Sequence, residues 1–285
     1  MKIGNTFGAF FGNYGSADAA FARMKELGYD TADVGIFDVN DPMYADRAAM
    51  EEHCRTIREA AEKNGIEIFQ VHGPWPTDDT TEESRARVWD CMHRAVYGCS
   101  LLGAKYLVIH PQMPFGWGSE SDADFSEELT IALLRELIPD CEAHGVIVCL
   151  ENMPMTAHRI SPMKNIAEAV AKIDSPYIGI CLDTGHSNVF SDNLGEVVHI
   201  AAPWLKVLHV HDNNGHSDQH LLPWLGTADW DAFARALAEV GYDGSLSFET
   251  GGPVSGTMPE SVRKAAETLT AEAARCIAEA VDSYR

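Results

Sequence analysis

Six successive apolar runs of this sequence end in side chains that hold protons or metal ions. His72 closes EIFQVHG, His110 closes YLVIHP, and Glu151 closes VIVCLEN. Asp183 closes IGICLD, with His186 three residues on. His209, His211 and Asp212 lie in LKVLHVHD, and Glu249 closes SLSFE. Carboxylates and imidazoles after apolar segments are costly to leave unpaired. A basin of several carboxylates also repels itself, and a bound cation removes both costs. Glu151, Asp183, His209 and Glu249 offer three oxygen ligands and one nitrogen, a set suited to Mn²⁺, Mg²⁺, Co²⁺ or Zn²⁺. The carboxylate excess leans toward the harder ions, and further histidines lean toward zinc. Singly, each residue has an ordinary explanation: a hydrogen-bonded structural histidine, or a glutamate capping a helix. Six consecutive endings of ligand type argue instead for one shared site.

A second cluster follows at 213–220, NNGHSDQH, where Asp218 and His220 form a D-x-H pair. Asn-Gly is a strong turn signal, so the stretch reads equally as a polar loop or as a further metal or substrate-hydroxyl site. His216 reads as a loop residue.

The elements that must position these residues alternate. β-rich runs at 2–7, 31–37, 67–73, 106–111, 146–152, 178–185, 205–212 and 245–250 are each followed by Ala- and Glu-rich helical spacing, at 16–27, 47–64, 82–102, 126–144, 162–172, 194–201, 229–240 and 260–282. Gly28, Gly65, Gly103, Gly145 and Gly241 stand where helices should end. Eight βα units in 285 residues predict an α/β fold, a single (β/α)₈ TIM barrel spanning 1–285. No G-x-G-x-x-G or P-loop follows any strand, as an open dinucleotide-binding sheet would often require. In a barrel the carboxyl ends of all strands open onto one rim, so residues 72 to 249 converge on one basin.

These strings resemble the xylose isomerase-like barrel superfamily, which includes a sugar isomerase/epimerase branch and the endonuclease IV-type apurinic endonucleases. The resemblance runs from KIGNTF through LSFET, and CLENMP, GICLDTGHSN, HVHDNNG…DQH and SFET carry most of it. Similarity to the ketose 3-epimerases implies one divalent ion held by Glu151, Asp183, His209 and Glu249. It also implies the two glutamates as an acid/base pair and His186 on substrate. The arginine of that pattern after the strand-seven histidine has no counterpart in HVHDNNGHSD. Similarity to the endonucleases implies three zinc ions: one on His72, His110 and Glu151, one on the four-residue set, and one on His186, Asp218 and His220.

Charge separates the branches. The chain has 43 acidic and 21 basic residues, a net charge of −22, a field that repels phosphate backbones and anionic lipid heads. The loops after strands four and seven, PQMPFGWGSESDADF and NNGHSDQHLLPWLGTADW, contain no Lys or Arg. They and their neighbours carry aromatics instead: Phe10, Phe11, Tyr14, Trp75, Phe115, Trp117 and Trp224. ETGGPVSG offers backbone amides to a phosphate but no cation. A small neutral carbohydrate is therefore the expected partner, with His72, His110, His186, His211, Trp75 and Trp117 as candidate substrate contacts, and no nucleic acid or membrane partner.

The expected activity is isomerisation or epimerisation of a sugar through an enediolate, with Glu151 and Glu249 on opposite faces of the planar intermediate. A lyase or dehydratase on a keto-sugar or inosose is the alternative, followed by the endonuclease. No run reaches the length of a membrane span, about 18 apolar residues. The amino terminus lacks a secretory pattern, and the seven cysteines show no C-x-x-C, so a reducing cytoplasm is expected. The outer helices leave room for a homo-oligomer, with no stripe marking its interface.

Overall fold

Lys2–Thr6 form β1, whose central residues Ile3, Gly4 and Asn5 are all buried, as in a strand covered on both faces. Seven further strands follow: β2 (Thr31–Gly35), β3 (Glu67–His72), β4 (Tyr106–Ile109), β5 (Ile147–Glu151), β6 (Ile178–Asp183), β7 (Leu205–His209) and β8 (Ser245–Phe248). The structure is a computed structural model that describes residues 1–36, 38–75, 77, 80–118, 120–250 and 258–285. Phe37 and residues 251–257, which include most of ETGGPVSG, lie outside the described residues.

The strands pair in parallel in the order β7-β6-β5-β4-β3-β2-β1-β8. The remaining seam is bridged where Val210 N donates to Ser247 O at 2.8 Å and Glu249 N donates to Val210 O at 3.1 Å. The sheet is thus an almost closed barrel. Its interior holds a layer of small side chains, Val108, Cys149, Cys181 and Val207, with Phe69, Tyr106 and Ile147 packed against it. The thiols fill space there, and burial pushes both of them up.

Helices enclose the sheet: α1 (Phe7–Tyr14), α2 (Ala17–Glu26), α3 (Arg47–Asn64), α4 (Glu82–Leu101), α5 (Ala123–His144), α6 (Met163–Ala171), α7 (Thr184–Val189), α8 (Leu194–Ala201), α9 (Trp230–Glu239) and α10 (Glu260–Tyr284). Helices α3 and α5 stop at Gly65 and Gly145, whose φ of 65° and 68° place them in the left-handed region. No helix among the described residues is long and apolar enough to cross a membrane.

Two helices differ from the sequence expectation. Phe7, read as the end of the first strand, begins α1, which buries Phe7 and Phe10 against the core. The sequence FGAFFGNY hides this helix because two glycines and four aromatics mask its period. His186, read in a turn, lies inside α7, a short helix whose N-cap is Asp183 itself.

Candidate metal centre

The expected rim residues do converge. Glu151 and Asp183 are the last residues of β5 and β6, and His209 is the last of β7. His110 and Glu249 stand one residue beyond β4 and β8, and His211 lies past the end of β7 rather than within it. Among the described residues four groups of ligand-type atoms result, each with all atoms within 4.8 Å of one another. They are Glu151, Asp183, His209 and Glu249; His72, His110 and Glu151; Glu151, Cys181 and His209; and His186, His211, Asp218 and His220. Glu151 belongs to three of them.

Three of the imidazoles are held from behind by backbone carbonyls. His72 Nδ1 meets Gly73 O at 3.0 Å, His186 Nδ1 meets Asn152 O at 2.7 Å, and His220 Nδ1 meets Glu249 O at 2.8 Å. A ring nitrogen facing a carbonyl must carry its hydrogen, so the opposite nitrogen of each ring is the one that presents a lone pair to the basin when the ring is neutral. Those opposite nitrogens look at carboxylates: His186 Nε2 lies 3.4 Å and His220 Nε2 3.1 Å from Asp218 Oδ2, and His72 Nε2 lies 3.7 Å from Glu151 Oε2. His209 repeats the arrangement with its ring reversed. Its Nδ1 lies 2.9 Å from Glu151 Oε1 and 3.3 Å from Glu249 Oε2. A lone pair aimed at an anion is repulsive unless a proton or a metal ion lies between them. Rear hydrogen bonds of this kind are what metal-ligating histidines usually make. The donor set and spacing therefore fit a divalent ion, and the buried Glu151 Oε2 lacks a hydrogen-bond partner.

The charges respond to this crowding. Burial alone would push the Glu151 carboxyl up, but His209 and His110 beside it hold it well below the usual carboxylate range. Burial likewise opposes ionisation of Asp183, and His186 and His211 outweigh it. His110 shifts the other way, downward, because burial outweighs its contact with Glu151.

Comparison with known proteins places this basin in a family. The family model of the xylose isomerase-like TIM barrel matches residues 21–280. The chain belongs to the xylose isomerase-like TIM barrel family. D-psicose 3-epimerase of Ruminiclostridium cellulolyticum is 24% identical over 250 residues, 85% of this chain and 80% of that one. A solved D-psicose 3-epimerase structure, determined in the presence of D-fructose, superposes with a TM-score of 0.78 at 18% identity, covering 97% of this chain and 99% of that one. A structure of the IolI protein with a bound zinc atom superposes with a TM-score of 0.75 at 17% identity, covering 100% and 99%.

Within this xylose isomerase-like barrel, several residues carry roles that the sequence pattern did not isolate. Asn152, beside Glu151, ties β5 to β6: its Nδ2 donates to Asp183 O at 3.0 Å and its Oδ1 accepts from Asp183 N at 2.8 Å. Asp212, which the sequence groups with the rim acids, is an anchor. Its carboxylate accepts the amides of Asn213, Trp224, Gly226 and Ala228 and the indole N–H of Trp230, and so fixes the loop that delivers Asp218 and His220. His211 is fully buried. It stacks on His220 at 4.1 Å and donates from Nε2 to Asp183 Oδ2 at 3.0 Å, a contact that holds the Asp183 carboxylate rather than facing the mouth. His216 stays in the loop.

Of the aromatics, Trp75 meets the edge of His110 at 6.3 Å, and Trp117 meets Trp75 at 5.6 Å. Both indoles remain exposed beside the basin. Phe10 is buried, and Tyr14 donates to Glu267, so neither of these forms part of the rim.

Gly185 exists for His211: a Cβ there would overlap the imidazole ring. Gly185→Ala should therefore destabilise the protein by about 1–3 kcal/mol through overpacking. A thermal melt checks this, with roughly 2–4 °C lost per kcal/mol. An unchanged melting temperature would mean that His211 moves aside freely.

Proposed function

We propose that this chain is a divalent-metal-dependent epimerase or isomerase of a neutral sugar or sugar derivative. The observation that carries the reading is the convergence of the Glu151 and Glu249 carboxylates on His209 Nδ1, at 2.9 and 3.3 Å, inside a ring of imidazoles held from behind. Glu151, Asp183, His209 and Glu249 would hold the ion. When bound, it supplies a Lewis acid for a substrate carbonyl and the hydroxyl beside it.

The chain's own groups perform the proton transfers. Glu151 comes from the end of β5 and Glu249 from beyond β8. Coming from different strands, the two carboxylates would act on opposite faces of the substrate carbon. One removes the proton beside the carbonyl, and the other returns one to the opposite face, which inverts the centre. Return to the neighbouring carbon gives isomerisation instead. His186 holds a substrate oxygen, His211 keeps Asp183 in place, and His72 and His110 line the same wall as Glu151. Trp75 and Trp117 offer apolar surface to the face of a sugar ring. The low-identity kinship with sugar epimerases supports this chemistry, and the acidic balance supports a neutral substrate over nucleic acid.

Incubation with a panel of ketoses in deuterated water with Mn²⁺ or Co²⁺ tests the proposal. Deuterium should appear at the carbon beside the carbonyl, together with the epimeric product. No uptake across the panel sinks it. Uptake with loss of water would convert the enzyme into a dehydratase. The groups His72–His110–Glu151 and His186–Asp218–His220 make further ions the specific second reading. Three tightly bound zincs with nicking of abasic duplex would replace the sugar chemistry by phosphodiester hydrolysis.

A further inference from the structure

Asp33 lies in the middle of β2, in TADVG, with 2% of its surface exposed. It reaches across the barrel to a residue 176 positions away: its Oδ2 lies 2.9 Å from His209 Nε2. Gln70 on β3 holds the same carboxylate. Gln70 Nε2 donates to Asp33 Oδ2 at 2.9 Å and to Leu208 O at 3.3 Å, and the side chain is fully buried. Asp33 Oδ1 has no hydrogen-bond partner. A buried carboxylate in a strand, sharing its one bonded oxygen between an imidazole and an amide, is costly unless the imidazole contact is needed.

Asp33 also differs from the other rear acceptors. His72, His186 and His220 rest on neutral backbone carbonyls, whereas His209 rests on a carboxylate. A carboxylate behind an imidazole fixes the N–H on the near nitrogen and makes the far nitrogen a stronger donor. Here the far nitrogen is Nδ1, the atom shared with Glu151 and Glu249.

The geometry points to Asp33 as a positioning residue that, with Gln70, fixes the His209 ring and makes the Glu151–Asp183–His209–Glu249 group the tightest cation site of the basin. This inference rests on the metal-dependent reading above.

Calorimetric titration of the full chain with Mn²⁺, in wild type and Asp33→Asn, tests it. The near-isosteric amide keeps the shape and removes the charge. The Mn²⁺ dissociation constant should rise by roughly 10- to 100-fold, and the visible absorption of the Co²⁺-loaded protein should change. Gln70→Met, which frees Asp33 from its second tether, should shift affinity in the same direction by a smaller factor, and it serves in place of Asp33→Asn should that variant misfold. Thr31→Val is the control. Thr31 Oγ1 and Ser245 Oγ form a buried pair 2.6 Å apart elsewhere in the barrel, so its loss should leave Mn²⁺ affinity unchanged.

Wild-type affinity and an unaltered Co²⁺ spectrum in Asp33→Asn overturn the inference, as does equal weakening in Thr31→Val. A wild-type protein that binds neither ion overturns this inference and the proposed function together. Tight wild-type binding weakened by Asp33→Asn, without deuterium exchange on any sugar, supports the inference and overturns the epimerase alone.

Discussion

Glu249→Gln should leave a folded protein that still takes up Mn²⁺, while sugar proton exchange falls by roughly 10²–10⁴-fold, the usual contribution of a positioned acid or base. Glu249 is the more open of the two glutamates, with 27% of its side chain exposed against 1% for Glu151, and its charged contact within the basin is His209 Nδ1. Its amide keeps the shape and loses the proton acceptor, while Glu151, Asp183 and His209 remain to hold an ion.

Glu151→Gln should behave differently. Glu151 faces His209 at 2.9 Å, His110 at 3.2 Å, His186 at 3.6 Å and His72 at 3.7 Å. Removing one partner from a buried charged network costs about 3–5 kcal/mol, because the partner charges stay buried. Loss of Mn²⁺ binding and a lowered melting temperature should therefore accompany the loss of activity. Calorimetry, thermal melts and deuterium uptake on both variants separate the two roles. Wild-type exchange in Glu249→Gln would remove it from the proton path, and undiminished Mn²⁺ binding in Glu151→Gln would move the ion elsewhere.

The contrast shows which features a linear reading reaches. A ligand-type residue ending an apolar run is visible because strand ends share one rim in a barrel, and the positions from His72 to Glu249 were legible for that reason. Asp33 was not. It sits in the middle of a strand, and its partner is set by which strands face each other across the interior, a property of closure. Asp212 shows the converse. Its type and place match a ligand, yet five N–H donors from its own loop use both its oxygens. Asp218 and His220 were balanced between turn and site on sequence alone, because only the Asp212 anchor brings that loop back toward His186. His211 depends on a missing side chain: it fits because Gly185 leaves it room.

Protons and metal ions must compete in this basin. Burial opposes the charged form of His186, His209 and His220, but the anionic groups around them prevail. Asp183 and Asp218 around His186 raise it to about 10, and Asp218 and Glu249 around His220 raise it to about 9. His209, buried beside Cys181, Glu151 and Glu249, is held well above its ordinary value. Without metal these rings are protonated at pH 7 and neutralise the carboxylates. Because the folded values of His186 and His220 exceed the unfolded value of about 6.5, their contribution to stability is full below that pH and is lost as pH climbs through 9 to 10. A divalent ion needs the same nitrogens bare, so its binding must expel protons. Mn²⁺ affinity should therefore tighten between pH 6 and 8, by roughly tenfold per pH unit for each proton released. Calorimetry in two buffers of different ionisation enthalpy counts those protons. The gain in melting temperature on adding Mn²⁺ should also be larger at pH 9 than at pH 7, since the ion then replaces counter-charges that the imidazoles are losing. A flat affinity from pH 6 to 8 with no proton release would mean that the ion does not contact His209, and the four-residue centre would lose its nitrogen ligand.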